Sequence, residues 1–534
     1  MCWDVARERV NPPNEELYAR KWTIFGVTMI GLFMALIDVT IVNITVPTLQ
    51  RKLNANVDTV SWVLNAYNIV FAVLLVSMGR LADQFGRRRF FLIGMSIFTL
   101  GSGLCALAWS VHALIGFRVI QGVGAAVLAP LALATTALVF PPRQRGLGLA
   151  LIAVVANVAA ALGPPIGGVL VQTLSWHWIF AVNVPIGIVG VALATRAMPE
   201  TFDLEAGVRV DWTGMVLIGA SIFCLTYGLV EANNQGWGST EIVSLFAGSA
   251  VLAGAFAVSQ RLGRFPMLAR SLVANRQFMG ASATMVLFAV SVMGPLFLAV
   301  IAFVNMWDYS QLKAALAVSP IPLVGMIVSP LVGRRSDRLP PRTMAVPALL
   351  FMGGGLIWLG ELPAQANYLH ILPALLLMGL GMGASFPTVN VGAMGSISGQ
   401  ELGLGSGIVN MSRQLGFALG IAVLVAVFTG VVNDRVPDAR TQAAAVVRKA
   451  GLPRDRGARI VRRAFTGGRE GRPFKPKTPV ERRVAGIAAH AERDGFGAGF
   501  RVAALAVLLA VPFALTMRRH PADAHAAAAA ATAG

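Results

Sequence analysis

Gly79-Arg80-Leu81-Ala82-Asp83-Gln84-Phe85-Gly86-Arg87-Arg88-Arg89 is a glycine- and arginine-rich stretch set between two long apolar runs. A shorter version, Gly333-Arg334-Arg335-Ser336-Asp337-Arg338, returns 254 residues later, again at the end of an apolar run. Two further pairs lie at nearly the same distance. Gln121-Gly122-Val123-Gly124 with Pro130 meets Met378-Gly379-Leu380-Gly381 with Pro387 at an offset of 257, and Gly146-Leu147-Gly148 meets Gly403-Leu404-Gly405 at the same offset. Single glycine matches are common in a chain with 56 glycines, but three ordered matches at one spacing mark an internal repeat.

The runs between these motifs set the class. Of 534 residues, 56% are hydrophobic and only 13% are charged, against about 25% charged in soluble domains. No low-complexity tract replaces the missing charge, so neither a disordered chain nor a small soluble domain fits. Cys2, Cys105 and Cys224 have no paired spacing, which excludes a disulfide framework and a thiolate metal site. Nothing reads as an ATP-binding loop, a zinc helix motif or a hydrolase elbow, so no enzyme, cofactor or metal is expected. The net charge of +19 would suit a nucleic-acid binder. Here the basic residues stand between apolar runs without an aromatic recognition motif, so the expected surroundings are a bilayer and not nucleic acid.

A crossing helix needs about 20 apolar residues. Spans are expected near 22–48, 58–78, 90–109, 112–139, 146–171, 178–195, 212–231, 240–259, 278–304, 311–332, 343–361, 369–392, 403–432 and 499–517. The chain therefore reads as an all-α polytopic membrane protein with fourteen transmembrane helices. The repeat makes spans 1–6 and 9–14 two copies of one six-helix unit, with spans 7 and 8 inserted. The expected parts are a segment 1–21, a six-helix bundle 22–196, an inserted pair 197–265, a second bundle 266–517 and a tail 518–534. Two parallel repeats of this kind describe an alternating-access transporter with its substrate site between the halves.

Loop charge sets the orientation. With the N-terminus inside, inner segments hold 22 Lys and Arg, while the short outer loops hold only Arg51, Lys52 and Lys313. The positive-inside rule then places both termini in the cytoplasm. Residues 1–21 are polar, without the apolar core of a cleaved signal peptide. Segment 433–498 runs against the bias with 16 Lys and Arg, but loops longer than about 60 residues cross largely regardless of charge. Its apolar periodicity (Ala443, Val446, Val447, Ile460, Val461, Ala464) fits amphipathic pieces on the membrane face, and a solvated loop fits its composition equally.

Four patches resemble the major facilitator superfamily, and within it the fourteen-helix drug:proton antiporters of the EmrB/QacA type. Leu36-Ile37-Asp38-Val39-Thr40-Ile41-Val42-Asn43-Ile44 with Pro47 is similar to the family's first-helix motif. Residues 79–89 match the superfamily's loop 2–3 signature. Arg118-Val119-Ile120-Gln121-Gly122-Val123-Gly124 is similar to the proton-transfer motif of span 4. Gly163-Pro164-Pro165-Ile166-Gly167-Gly168 is similar to the antiporter motif of span 5. The resemblance covers about 22–432 and 499–517. It implies proton-coupled export of amphipathic small molecules, such as drugs or antibiotics, by a monomer in a bacterial cytoplasmic membrane. A metabolite carrier of the same fold and a non-transporting membrane sensor are the competing readings. The family usually places an Arg between two Trp after span 5, where this chain has Trp176-His177-Trp178; His177 reads as an interfacial residue.

Physical chemistry assigns the site residues alongside the resemblance. Asp38 is the one acid in the middle of an expected span, where a charge costs about 2.5–3.5 kcal/mol on insertion scales. It is the expected proton carrier, with Arg118 as a partner at matching depth across a cavity. Asp83 and Asp337, with Gly79, Gly86, Arg87 and Arg88, are expected to gate, because an Asp near a helix N-terminus gains from the dipole. Gly163, Gly167 and Gly168 allow close helix approach, and Pro164 and Pro165 remove backbone donors. Asn43, Gln121, Asn410, Arg413 and Gln414 are the candidates for a substrate cavity.

Overall fold

The computed structural model describes residues 12–518 apart from 44, 46–47, 50–51, 54, 56, 203–210, 264–269, 306, 308, 310, 337–338, 364–366, 398–401, 451–452, 467–475 and 477. Among the described residues there is no strand, and fourteen helices are long and apolar enough to cross a membrane. These are α1 (Lys21–Asn43), α2 (Val57–Phe85), α3 (Arg87–Ala106), α4 (Val111–Val139), α5 (Arg145–Thr173), α6 (Asn183–Ala197), α7 (Trp212–Gln235) and α8 (Thr240–Leu262). They continue as α9 (Arg276–Asn305), α10 (Pro320–Ser336), α11 (Arg342–Glu361), α12 (Tyr368–Met394), α13 (Leu402–Lys449) and α14 (Pro479–Ala514); the sixth crossing takes in the short helix Trp178–Ala181 before α6, and the tenth reaches back to Leu316 before α10.

Polar residues at the boundaries start the helices. Ser110, Asp211 and Ser239 accept hydrogen bonds from the N–H groups of Ala113 (3.2 Å), Gly214 (2.7 Å) and Ile242 (3.3 Å). Each cap satisfies one donor that the helix itself leaves free. Between α2 and α3 only Gly86 intervenes, at φ +110°, a conformation that costs a glycine little. Outward-facing side chains such as Leu100 and Val251 are apolar and exposed, as a lipid-covered surface requires.

The repeat seen in the sequence is a repeat of packing. In the first half α1 packs on α5 and α6, α2 on α4, and α3 on α4 and α6. In the second half α9 packs on α13 and α14, α10 on α12, and α11 on α12 and α14. The pattern is the same, helix for helix. Across the seam α2 packs on α13, and α5 on α10. Those two contacts are one contact made twice: the second helix of each copy against the fifth of the other. The inserted α7 and α8 pair with each other, and α7 leans on α2 and α13.

Two expectations change. Span 10 does not start at 311: Gln311–Val318 is a separate short helix, and α10 begins at Pro320. Proline has no N–H to continue a helix but suits a first turn. The larger change concerns 433–498. The α13 helix runs 48 residues without a break, about 72 Å at 1.5 Å per residue and more than twice the hydrocarbon thickness. The α14 helix starts at Pro479, some 20 residues before the expected span, from a capping box in which Thr478 and Glu481 bond each other's backbone N–H groups. A third helix, Arg454–Thr466, lies between them. The periodic apolar residues face one another: Ala443, Val447, Ile460 and Val484 are buried together, with Val446, Val461 and Ala464 against them. Neither a membrane-surface helix nor a loop results, because the stripes cover each other. Arg493 ties this extension to the bundle, donating to the carbonyls of Leu362 (3.0 Å) and Glu361 (3.2 Å) at the end of α11.

Candidate functional site

Asp38 lies five residues before the end of α1, nearer that end than the expected span implied, yet it is fully buried. Arg118, seven residues into α4, is also fully buried. They do not face each other across a cavity but form a direct ion pair, Arg118 Nη1 to Asp38 Oδ2. Gln121 stands one turn beyond Arg118 on α4. Its Oε1 accepts from Arg118 Nη1 (2.7 Å), and its Nε2 donates to Asp38 Oδ1 (2.9 Å). Gln121 was expected in the substrate cavity; here it closes a ring of three side chains.

The surroundings complete the ring. Arg118 Nε donates to the Val63 carbonyl (3.0 Å) on α2, and its guanidinium sits 4.1 Å from the centre of the Tyr67 ring. The Tyr67 hydroxyl donates to the Ala35 carbonyl (3.0 Å), one turn before Asp38. Gln121 Nε2 lies 3.2 Å from Ser102 Oγ, which also receives Asn183 Nδ2 (3.1 Å) from α6. Gly101 makes this approach possible: a Cβ there would stand 2.7 Å from the Gln121 backbone nitrogen. Tyr67, Ser102 and Asn183 had no sequence signal, being ordinary polar residues of apolar spans.

The antiporter motif packs on the same assembly. A Cβ at Gly163 would collide with Thr40 Oγ1, two residues after Asp38, and Thr40 donates across to the Ala159 carbonyl (3.1 Å). Gly167 and Gly168 are buried in the unbroken helix α5, which also contains Pro164. Further along α5, Asn157 touches Gly325 of α10, and Gly146 and Ala150 touch Gly333. Asn43 ends α1.

The stretch 79–89 forms the close of one end. Gly79 is buried in α2. Asp83 Oδ1 accepts from Arg87 Nε (2.9 Å), and Arg87 Nη2 lies 2.7 Å from the same oxygen as an ion pair, all of it buried. Its other oxygen accepts from the Leu404 N–H (3.1 Å) in the first turn of α13. That bond crosses the seam between the halves. Beside it, Ser406 Oγ donates to the Pro130 carbonyl (3.0 Å), and Gly407 lies against Val76. Asp337 falls outside the described residues. A residue missed by the sequence reading supports this end: Glu200 accepts from the N–H groups of Arg88 (2.9 Å) and Arg89 (3.2 Å) in the first turn of α3. Burial raises its pKa, against the pull of those N–H groups and of Arg89. A Cβ at Gly86 would lie 2.6 Å from this carboxylate, so the motif's glycine is needed for space as well as for φ. An acid just after span 6 was the available signal.

On α13, Arg413 Nη2 donates to Asn410 Oδ1 (2.8 Å), and both are buried; Gln414 is half-buried beside them. His177 stacks on Trp176 at 3.8 Å, between the α5 and α6 spans. Partial burial lowers its pKa.

A family model described as the Major Facilitator Superfamily matches residues 28–421. The chain belongs to this superfamily. The puromycin resistance protein of Streptomyces alboniger is 33% identical over 80% of this chain and 86% of its own length. The multidrug resistance protein Stp of Mycobacterium tuberculosis is 31% identical over 94% of this chain and 92% of its own. The tetracenomycin C resistance and export protein of Streptomyces glaucescens is 28% identical over 96% and 94%. Among solved structures, the human organic anion transporter TETRAN overlays with a TM-score of 0.63 at 15% identity, covering 94% of this chain and all of that one, which speaks to the fold alone. The chain is a multi-pass superfamily transporter. The buried ring around Asp38 and the seam bond at Asp83 are features of a transporter's interior.

Proposed function

We propose that this transporter exports amphipathic drug-like molecules from a bacterial cytoplasm in exchange for protons, with both termini in the cytoplasm and one chain as the working unit. The observation that carries the reading is the ring of Asp38, Arg118 and Gln121. As a carboxylate, Asp38 neutralises Arg118. When a proton from outside binds it, an O–H bond forms and the carboxyl becomes neutral. Arg118 then keeps Gln121 Oε1, the Val63 carbonyl and the Tyr67 face. Both protonation states are therefore tolerable, which a carrier needs and a purely structural ion pair does not. Export of drugs and antibiotics is supported by the relatives that match most of this chain, which are named for resistance and export. The bond from Asp83 to α13 holds the cytoplasmic end shut while Asp38 exchanges with the outside. Breaking it lets the same site face inward.

The test is Asp38→Asn, which copies the protonated acid in shape but releases no proton. Expected are normal membrane levels, no uphill efflux of a dye from energised cells, and no proton release when substrate is added to purified protein. Wild-type efflux together with wild-type proton release would remove Asp38 from the mechanism.

A further inference from the structure

We infer that Arg413 and Asn410 form an anion subsite that takes the carboxylate, enolate or phenolate of a flat amphipathic substrate on the export path. The inference rests on the export reading and adds a substrate class to it. Arg413 is 6% exposed and lies eleven residues into α13, about 17 Å along the helix and near mid-membrane. Its Nη2 reaches Asn410, but its Nε has no hydrogen-bond partner among the described residues. Asn410 is already committed: its Nδ2 donates to the Ser406 carbonyl (3.0 Å), which turns its Oδ1 towards the guanidinium. Besides the amide, the charge faces the Phe386 ring, whose centre is 5.6 Å from Cζ. A buried guanidinium is ordinarily matched by an anion, since an uncompensated charge in a dry interior is costly.

Four spans of the second half have no such anion to give. The spans 276–303, 316–336, 368–394 and 404–432 contain no Asp or Glu. Glu361, at the end of α11, pairs with Arg501 (3.1 Å). In the first half Asp38 is held by Arg118 and Asp83 by Arg87. Glu231 lies near the far end of α7. The direction of the site follows from helix spacing. Ser406, Asn410 and Arg413 share one face of α13 at i, i+4 and i+7. Ser406 on that face bonds to Pro130 of the other half. Arg413 therefore stands two turns along the line where the halves meet, where alternating access places a substrate. Asn410 holds the guanidinium in place, and the aromatic ring with the unpartnered Nε suits a flat apolar body that carries one negative oxygen group.

A matched probe pair tests this: 9-anthroate and its methyl ester, which share an apolar body and differ in charge. Their fluorescence is read at equilibrium on purified full-length protein with no proton gradient. Wild type is expected to prefer the anthroate. Arg413→Gln should weaken the anthroate by roughly tenfold to a hundredfold, the range of a lost charge-assisted hydrogen bond, and leave the ester within twofold. Arg413→Lys keeps the charge and guards against a folding failure; it should retain a preference for the anthroate. Equal affinity of wild type for both probes, or equal loss of both in Arg413→Gln, overturns the subsite. So does displacement of anthroate by chloride at matched ionic strength against gluconate, which would mark a site for inorganic anion only. Dye transport separates the two readings. Wild-type vesicles that export dye while Arg413→Gln binds anthroate normally leave export standing and remove the subsite. Binding of anthroate through Arg413 without uphill movement of any dye leaves the subsite and removes export.

Discussion

Arg118 and Arg413 are both arginines buried in the membrane interior, one in each half, and their partners could hardly differ more. Arg118 has a carboxylate, an amide oxygen, a backbone carbonyl and an aromatic face. Arg413 has one amide oxygen and one more distant ring. The contrast extends to the ends of the repeats. In the first half the N–H of Arg87, at the start of α3, donates to the Thr201 carbonyl (3.0 Å) that follows α6. In the second half the N–H of Arg342, at the start of α11, donates to the Met517 carbonyl (3.2 Å) that follows α14. The backbone device is the same, but among the described residues only the first half adds a carboxylate, Glu200. The scaffold is repeated, while the buried ion pairs of Asp38 with Arg118 and Asp83 with Arg87 lie in one copy. The other copy presents a buried cation, Arg413, that makes no ion pair among the described residues.

The contrast is broken most sharply by removing each charge in turn. Arg118→Met leaves a buried carboxylate unpaired, and a loss of about 3–5 kcal/mol is expected. Arg413→Met removes one hydrogen bond and an uncompensated charge, so a change within about 1 kcal/mol is expected. Thermal unfolding of the two purified variants without substrate decides the matter. Equal destabilisation would mean that Arg413 has a structural partner after all.

A smaller effect is expected at the seam. Asp83→Asn weakens the bonds to Arg87 and to the Leu404 N–H, which are worth about 1.5–3 kcal/mol for a charged acceptor. A cysteine placed at Val76, in a background without Cys2, Cys105 and Cys224, should become more reactive from the cytoplasmic side. Probe affinity should stay unchanged while turnover falls. Unchanged reactivity with lost affinity would move Asp83 from the gate to the binding site.

The smallest effect belongs to Glu200, whose loss should cost about 0.5–2 kcal/mol, as for other helix-start partners. Its pKa is raised by burial, so the folded protein holds this proton more firmly than the unfolded chain does. Its contribution is full below the ordinary carboxylate pKa and declines as pH rises through the raised value. Glu200→Gln should flatten that slope in a series of unfolding curves. Identical slopes for wild type and variant would show that burial does not control the group.

Much of this molecule is written locally. Apolar length against bilayer thickness yields fourteen helices, and motif spacing yields the repeat. A lone acid inside a span points to Asp38, because lipid makes such a residue expensive unless it is used. Those inferences need only neighbours in sequence and the known thickness of the surroundings. Partnership is different. Asp38 meets Gln121 across 83 residues, and Asp83 meets Leu404 across 321. Glu200 reaches Arg88 across 112. No periodicity encodes such pairs; they depend on which helix faces pack and how closely glycines let them approach. The segment 433–498 shows the same limit from the other side. Its apolar stripes were visible, but whether they cover a membrane or each other depends on three helices lying side by side. That four spans of the second half carry no acid was legible in the sequence, but which of the remaining charges are already taken was decided by packing.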